Sequence, residues 1–212
     1  MTSPQDGHTL TELGHPPSQP GASVLVIACG ALAREILHIV NQNGWTHLDL
    51  TCLPAKLHNR PEQIPAAVEA AVLKHRGAYG KIVVAYGDCG TGGQLAALCK
   101  RLEVTMIDAP HCYAFFEGSA RFAAHDDEIT AFYLTDFLVR QFDAFVWQPL
   151  GLDRHPQLRD TYFGHYTKLV YMAQTEDPLL DDIAHECATR LGLAYERRST
   201  GYGDLPSWLG TS

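Results

Sequence analysis

Three cysteines stand where an apolar, strand-like run gives way to a turn. Cys29 follows 24–28, Cys89 lies in Tyr86-Gly87-Asp88-Cys89-Gly90-Thr91-Gly92-Gly93 after 82–85, and Cys112 follows 104–107. In a parallel α/β sheet the loops at the carboxyl ends of the strands line one crevice, so three such loops can bring three thiols together. Each thiol would also sit near a helix amino terminus, where unpaired N–H groups and the helix dipole favour thiolate. Thiolates bind metals and attack electrophiles. The expectation is that Cys29, Cys89 and Cys112 hold either a 4Fe–4S cluster with one iron open, or zinc or another divalent ion completed by histidine or water. His58 and His111 are the candidates for a fourth ligand or for acid–base work, against the plainer reading of each as a loop histidine. Gly30, Gly87 and Gly90 would let the backbone approach the cofactor or substrate.

Spacing excludes the common alternatives. There is no C-x-x-C pair and no H-E-x-x-H, so neither a zinc ribbon nor a zinc-protease helix is present. The glycine-rich turn at 87–93 lacks the Lys-Ser/Thr of a P-loop. A dinucleotide fingerprint beginning at Gly90 fails because Leu95 stands where glycine is required. The remaining cysteines, Cys52, Cys99 and Cys187, share faces with Leu48 and Leu50, with Leu95 and Leu102, and with Ile183 and Leu191. They read as small core residues. His125-Asp126-Asp127-Glu128 resembles a metal patch, but Asp126 and Asp127 suit the start of a following helix better.

The elements that must position these groups alternate. Strands at 23–28, 47–53, 81–86 and 104–107 are interleaved with helical periodicity through Leu32, Ile36, Ile39 and Val40, through Ile64, Val68 and Val72, and through Leu95, Leu98 and Leu102. After a long apolar helix at 129–147 the pattern resumes with a short helix at 158–165, a strand at 168–173, a helix at 178–191 and a strand at 193–197. Such βα alternation predicts an α/β, Rossmann-like fold: a mostly parallel sheet with helices on both faces, built as one sheet or as two small lobes. The expected division is a disordered tail at 1–22, rich in Pro, Ser, Thr and Gly, and one α/β domain at 23–212. Sublobes 23–125 and 155–212 would be bridged by the helix 129–147.

At 212 residues with 46% hydrophobic content, the chain can bury a substantial core. A net charge of −8 provides no basic footprint for nucleic acid and no attraction to an anionic membrane. The absence of a long apolar run or a signal-like start, and six cysteines without a disulfide pattern, point to the cytoplasm. A small molecule is the expected substrate, and composition says nothing of oligomeric state.

Cys29-Gly30-Ala31-Leu32, Leu57-His58-Asn59-Arg60-Pro61, Tyr86-Gly87-Asp88-Cys89-Gly90 and the His111-Cys112 segment ending at Gly118 resemble the signature segments of domain-of-unknown-function family 1638, over 23–209. Members of that family occur in methanogens and diverse bacteria, often encoded near corrinoid-dependent methyltransferases. The resemblance therefore implies one-carbon or methylamine metabolism, with corrinoid methyltransferase components as partners. The three cysteines and His58 match the pattern. Asp88 and Thr91-Gly92 stand where Leu and Asn-Gly are expected, and His111 where Asp is common. The plan is also similar to that of quinolinate synthase, in which cysteines from separate α/β units hold one cluster with an open iron. Three functions compete: a metal-dependent enzyme (lyase, hydrolase or transferase), a non-catalytic metal- or corrinoid-pathway accessory protein, and a metal-free cysteine-dependent enzyme. No D-x-H-x-x-G cobalamin signature is present, which weakens direct corrinoid binding.

Overall fold

The computed structural model describes residues 6–124 and 128–212. The chain forms two compact units, one comprising the residues up to Phe115 together with Asp204–Ser212, the other Phe116–Gly203. Each contains its own wholly parallel sheet. The α/β Rossmann-like expectation holds, in its two-sheet form. Among the described residues no helix is long and apolar enough to cross a membrane.

The first unit opens with a short helix, α1 (Gly7–Glu12), followed by β1 (Val24–Cys29), α2 (Ala33–Asn43), β2 (Leu48–Leu53), α3 (Ile64–His75), β3 (Lys81–Ala85), α4 (Gln94–Arg101) and β4 (Thr105–Met106). The strand order is β2-β1-β3-β4. β1 is buried along its whole length, as the unbroken run Val-Leu-Val-Ile-Ala-Cys requires of a central strand covered on both faces. From β1 the chain moves outward to β2, and from β3 it moves outward the other way to β4. The order therefore reverses between β1 and β3, and their carboxyl ends flank the crevice where open α/β sheets bind ligands. The loops that carry Cys29 and Cys89 leave from those two ends.

The expected tail at 1–22 is instead ordered from Asp6 onward. Asp6 caps α1 by accepting from the Thr9 amide at 3.0 Å, and Leu10 is only 1% exposed. Beyond α1, His15 exchanges two backbone hydrogen bonds with Cys52 at 2.8 and 2.9 Å, its carbonyl also accepts from Thr51, and the Ser18 amide donates to the buried Asp49 carboxylate at 2.9 Å. The segment covers the open edge of β2. A bare edge leaves a row of unpaired backbone groups, and this edge also carries a buried acid that needs donors. Composition misses the segment because backbone pairing holds it more than apolar area does. Deleting residues 1–21 is therefore expected to lower the melting temperature by more than about 5 °C, since it uncovers Asp49, Thr51 and Gly30 together; a fall of less than about 2 °C in a thermal melt would contradict this docking.

Two short helices, α5 (Ala114–Glu117) and α6 (Ser119–Ala123), follow β4 along the chain. The second unit's sheet is then formed by β5 (Ala131–Thr135), β6 (Lys168–Ala173) and β7 (Ala194–Ser199) in the order β5-β6-β7. Between them lie α7 (Asp136–Arg140), a π-helical turn at Asp143–Trp147, α8 (Arg159–Phe163) and α9 (Pro178–Leu191). A final helix, α10 (Leu205–Gly210), belongs to the first unit. The helix expected at 129–147 is thus corrected: it begins as the strand Ala131–Thr135, turns at Thr135, whose hydroxyl accepts from the Leu138 amide, and only then becomes helical. A short apolar run reads alike for a buried strand and a buried helix, and pairing with β6 decides for the strand. The bridged sublobes 23–125 and 155–212 give way to units that divide after Phe115 and exchange the final segment. Of the His125–Glu128 patch, His125, Asp126 and Asp127 lie outside the described residues, and no helix begins where they were expected to cap one.

Glu128 has a different task. Its carboxylate accepts two hydrogen bonds from Arg198, at 2.6 and 2.8 Å, one from Lys168 at 2.7 Å and one from the Tyr133 hydroxyl at 2.8 Å. Arg198 first, then Lys168 and Tyr133, hold the acid down at about 2. Because the folded value lies below the unfolded one, the stabilisation is complete above the ordinary carboxylate pKa and is lost as pH falls toward 2. Glu128→Gln should cost about 2–3 kcal/mol at pH 7 and flatten the stability profile between about pH 5 and 2; denaturant melts across that range check it, and parallel profiles for both proteins would contradict it.

Candidate functional site

Cys29 is the last residue of β1, 6% exposed, and burial drives its thiol up to about 12 despite the opposing Ala31 amide. Gly30 follows because nothing else fits. A side chain there would meet the Leu10 carbonyl at 2.4 Å and the Ala55 amide and Leu53 carbonyl at 3.1 Å. The space expected for a cofactor at Gly30 is occupied by the protein's own backbone.

On the other side of the crevice, the Cys89 turn is held from within. Asp88 accepts from the Thr91 hydroxyl at 2.8 Å and from the Gly93 and Gly92 amides at 2.7 and 3.0 Å, and these bonds keep its carboxyl below the usual range. The amides that a phosphate would need are taken by a carboxylate, which explains a glycine-rich turn without a P-loop. Cys89 has a left-handed backbone, φ 49°, uncommon outside glycine, and Gly90 continues it at φ 81°.

The Cys112 loop is pinned against this turn. The Asp88 amide donates to the Ala109 carbonyl at 2.8 Å and the Cys89 amide to the Pro110 carbonyl at 2.9 Å. Gly87 lies so close to His111 that a side chain would fall 2.6–2.9 Å from its backbone. The two sulfurs, Cys89 Sγ and Cys112 Sγ, are consequently 3.1 Å apart. Either sulfur can be the donor; the shared contact lowers Cys89 and, together with burial, raises Cys112 well above the usual thiol value. Cys29 acts electrostatically on Cys112, and Cys89 on Cys29, so the three strand-end cysteines form one neighbourhood.

His58 lies in the 3-10 turn Ala55–Asn59 and His111 directly precedes Cys112. Both imidazoles are pushed toward the neutral form by burial, His58 also by His111, while Asp88 opposes the effect at His111. His58 keeps an exposed side even so. His111 stacks on Tyr113 with ring centroids 4.9 Å apart. Neutral imidazoles can serve as metal ligands or as bases.

Tyr86 was not singled out in the sequence. It is 1% exposed, its hydroxyl meets no partner at hydrogen-bond geometry, and burial and then Cys29, Cys112, Cys52 and Cys89 raise it well above the ordinary value. A neutral hydroxyl is thereby kept within electrostatic reach of four cysteines. Its signal in the sequence is a position directly after β3, at the head of the Tyr86–Gly90 segment and three residues before Cys89. Cys52, Cys99 and Cys187 are buried.

Soft thiolates with neutral imidazoles are the donors that zinc and iron prefer. As the side chains stand, however, no three His, Cys, Asp or Glu among the described residues are gathered closely enough to hold one ion. The 3.1 Å between Cys89 and Cys112 is less than the roughly 3.8 Å that two thiolates keep on one tetrahedral ion with metal–sulfur bonds of about 2.3 Å. Three-thiolate ligation therefore requires this pair to open and Cys29 to turn in.

No curated protein and no solved structure matches the chain at a significant level. The sequence model of DUF1638, described as a protein of unknown function, matches residues 52–209, a span that includes His58, Cys89, His111 and Cys112 and begins after Cys29. That span covers most of the 212 residues, and the chain belongs to the DUF1638 family.

Proposed function

We propose that the protein is a cytoplasmic metalloenzyme in which Cys29, Cys89 and Cys112 hold a 4Fe–4S cluster, or zinc or another divalent ion, with one position left for a small substrate. The observation that carries this reading is the 3.1 Å approach of the Cys89 and Cys112 sulfurs, with Cys29 ending β1 at the β1/β3 crevice and within electrostatic reach of both. Such a metal supplies Lewis acidity, polarising a carbonyl or activating water. The rest falls to the chain. His58, neutral and exposed on one side, can take or return a proton. His111 lies close enough to His58 to influence it and close enough to Asp88 to be influenced in turn. A place in one-carbon or methylamine metabolism, alongside corrinoid methyltransferase components, rests on the family resemblance alone.

The sulfur contact also favours a second reading, a metal-free enzyme in which Cys89 is the nucleophile and Cys112 stabilises its thiolate. Iron, zinc and acid-labile sulfide measured on anaerobically purified protein, with a visible spectrum, separate the two. Stoichiometric metal supports the first. Metal-free, colourless protein in which iodoacetamide modifies Cys89 first supports the second.

A further inference from the structure

The same two loops carry a reaction that needs no metal. We infer that Cys89 and Cys112 form a reversible intramolecular disulfide, and that the protein thereby exchanges two electrons with low-molecular-mass thiols and disulfides. The sulfurs are 3.1 Å apart and must close to about 2.05 Å, a step within reach of side-chain torsion. No large backbone movement is needed, because the loops are already bonded to each other at Asp88–Ala109 and Cys89–Pro110 and packed together at Gly87–His111. These are also the two cysteines that solvent partly reaches, whereas Cys29, Cys52, Cys99 and Cys187 are buried. A small disulfide can therefore meet this pair and not the others.

The exchange proceeds through a mixed disulfide. One of the two sulfurs, as thiolate, attacks R–S–S–R and releases RS⁻. The second sulfur, as thiolate, then attacks the protein-bound sulfur of the mixed disulfide and releases the other RS⁻. The pair loses two protons and two electrons, and the small disulfide is reduced to two thiols. Excess small thiol runs the sequence backward. Since a disulfide has no free thiolate, the oxidised pair cannot ligate a metal, and oxidation and metal binding exclude each other at these residues.

The test uses the full chain, shown to be metal-free by elemental analysis, equilibrated in glutathione buffers of graded oxidation, quenched with an alkylating reagent and mapped by mass spectrometry. The expected result is one Cys89–Cys112 linked peptide, lighter by two hydrogens, appearing and disappearing with a single midpoint and reversed by dithiothreitol, with Cys187→Ser behaving as the parent chain. Cys89→Ser should carry only a mixed disulfide with glutathione at Cys112. If both thiols remain alkylatable in the most oxidising buffer, or if either pairs with a different cysteine or with a second chain, the inference is wrong. That outcome would leave the metal proposal standing, because metal content is measured independently.

Discussion

Serine at Cys29, Cys89 or Cys112 should each remove most of the bound metal, and to a similar degree, while serine at Cys52, Cys99 or Cys187 should leave metal per folded protein unchanged. A three-thiolate site loses both charge balance and geometry when one ligand becomes a hydroxyl, so partial occupancy is not expected. The other three cysteines are buried in the core, where replacing sulfur with a hydroxyl costs roughly 1–3 kcal/mol without touching a ligand. Cys52 is the sharpest member of that set. It lies close enough to Tyr86 to influence it and is itself influenced by Cys29, yet its backbone is committed to β2 and to the His15 bridge. Metal loss in Cys52→Ser would move it into the ligand set. Metal retained in Cys29→Ser would reduce the site to the Cys89–Cys112 pair, which is also the part lying within the DUF1638 match.

Gly87→Ala should be strongly damaging, because one added methyl group would force apart the two loops that carry Cys89 and Cys112. Its Cβ would lie 2.6 Å from the His111 carbonyl carbon and 2.9 Å from the His111 Cα and amide nitrogen, all backbone atoms that cannot swing aside. Two loops would have to separate, at a cost of about 3 kcal/mol or more, and the sulfurs they carry would separate with them. Gly90→Ala provides the comparison. There the new methyl meets Pro61 at an ordinary 3.5 Å, and only the left-handed backbone at φ 81° opposes it, a penalty of about 1–2 kcal/mol. Urea melts of the two variants, with disulfide yield measured alongside, should rank Gly87→Ala far below Gly90→Ala on both counts. Equal losses would mean that the Cys89 and Cys112 loops do not depend on this contact.

The fold was legible where burial leaves a mark in composition. β1 and 82–85 of β3 are unbroken apolar runs because both faces of a central strand are covered, and the cysteines could be placed at strand ends because Cys29 closes such a run while Cys89 and Cys112 lie within five residues of one. What stayed hidden was whatever depends on a partner distant in sequence. Residues 6–18 are held by an edge strand more than thirty positions away, Ser18 to Asp49 and His15 to Cys52, through groups every peptide possesses. β5 looked helical because an apolar run of its length has no reliable period until β6 lies beside it. Gly30 and Gly87 were read as openings for a ligand, whereas the first is filled by the Leu10 carbonyl and the second joins two loops. Tyr86 stood in the Tyr86–Gly90 segment without a role of its own, and its interest is spatial: a buried hydroxyl within electrostatic reach of four cysteines.

The division of the chain bears on the order in which it can fold during synthesis. The first unit is not complete at Phe115, because it recovers Asp204–Ser212 only after the whole second unit has emerged from the ribosome. Until then the Phe115 carbonyl lacks the Asp204 amide and Trp45 lacks the backbone of Gly210 against its ring. The cysteine loops, all encoded before residue 115, are thus translated well before α10, which belongs to the same unit. A nascent chain halted anywhere between the two segments would therefore carry its cysteine loops on a unit that still lacks Asp204–Ser212.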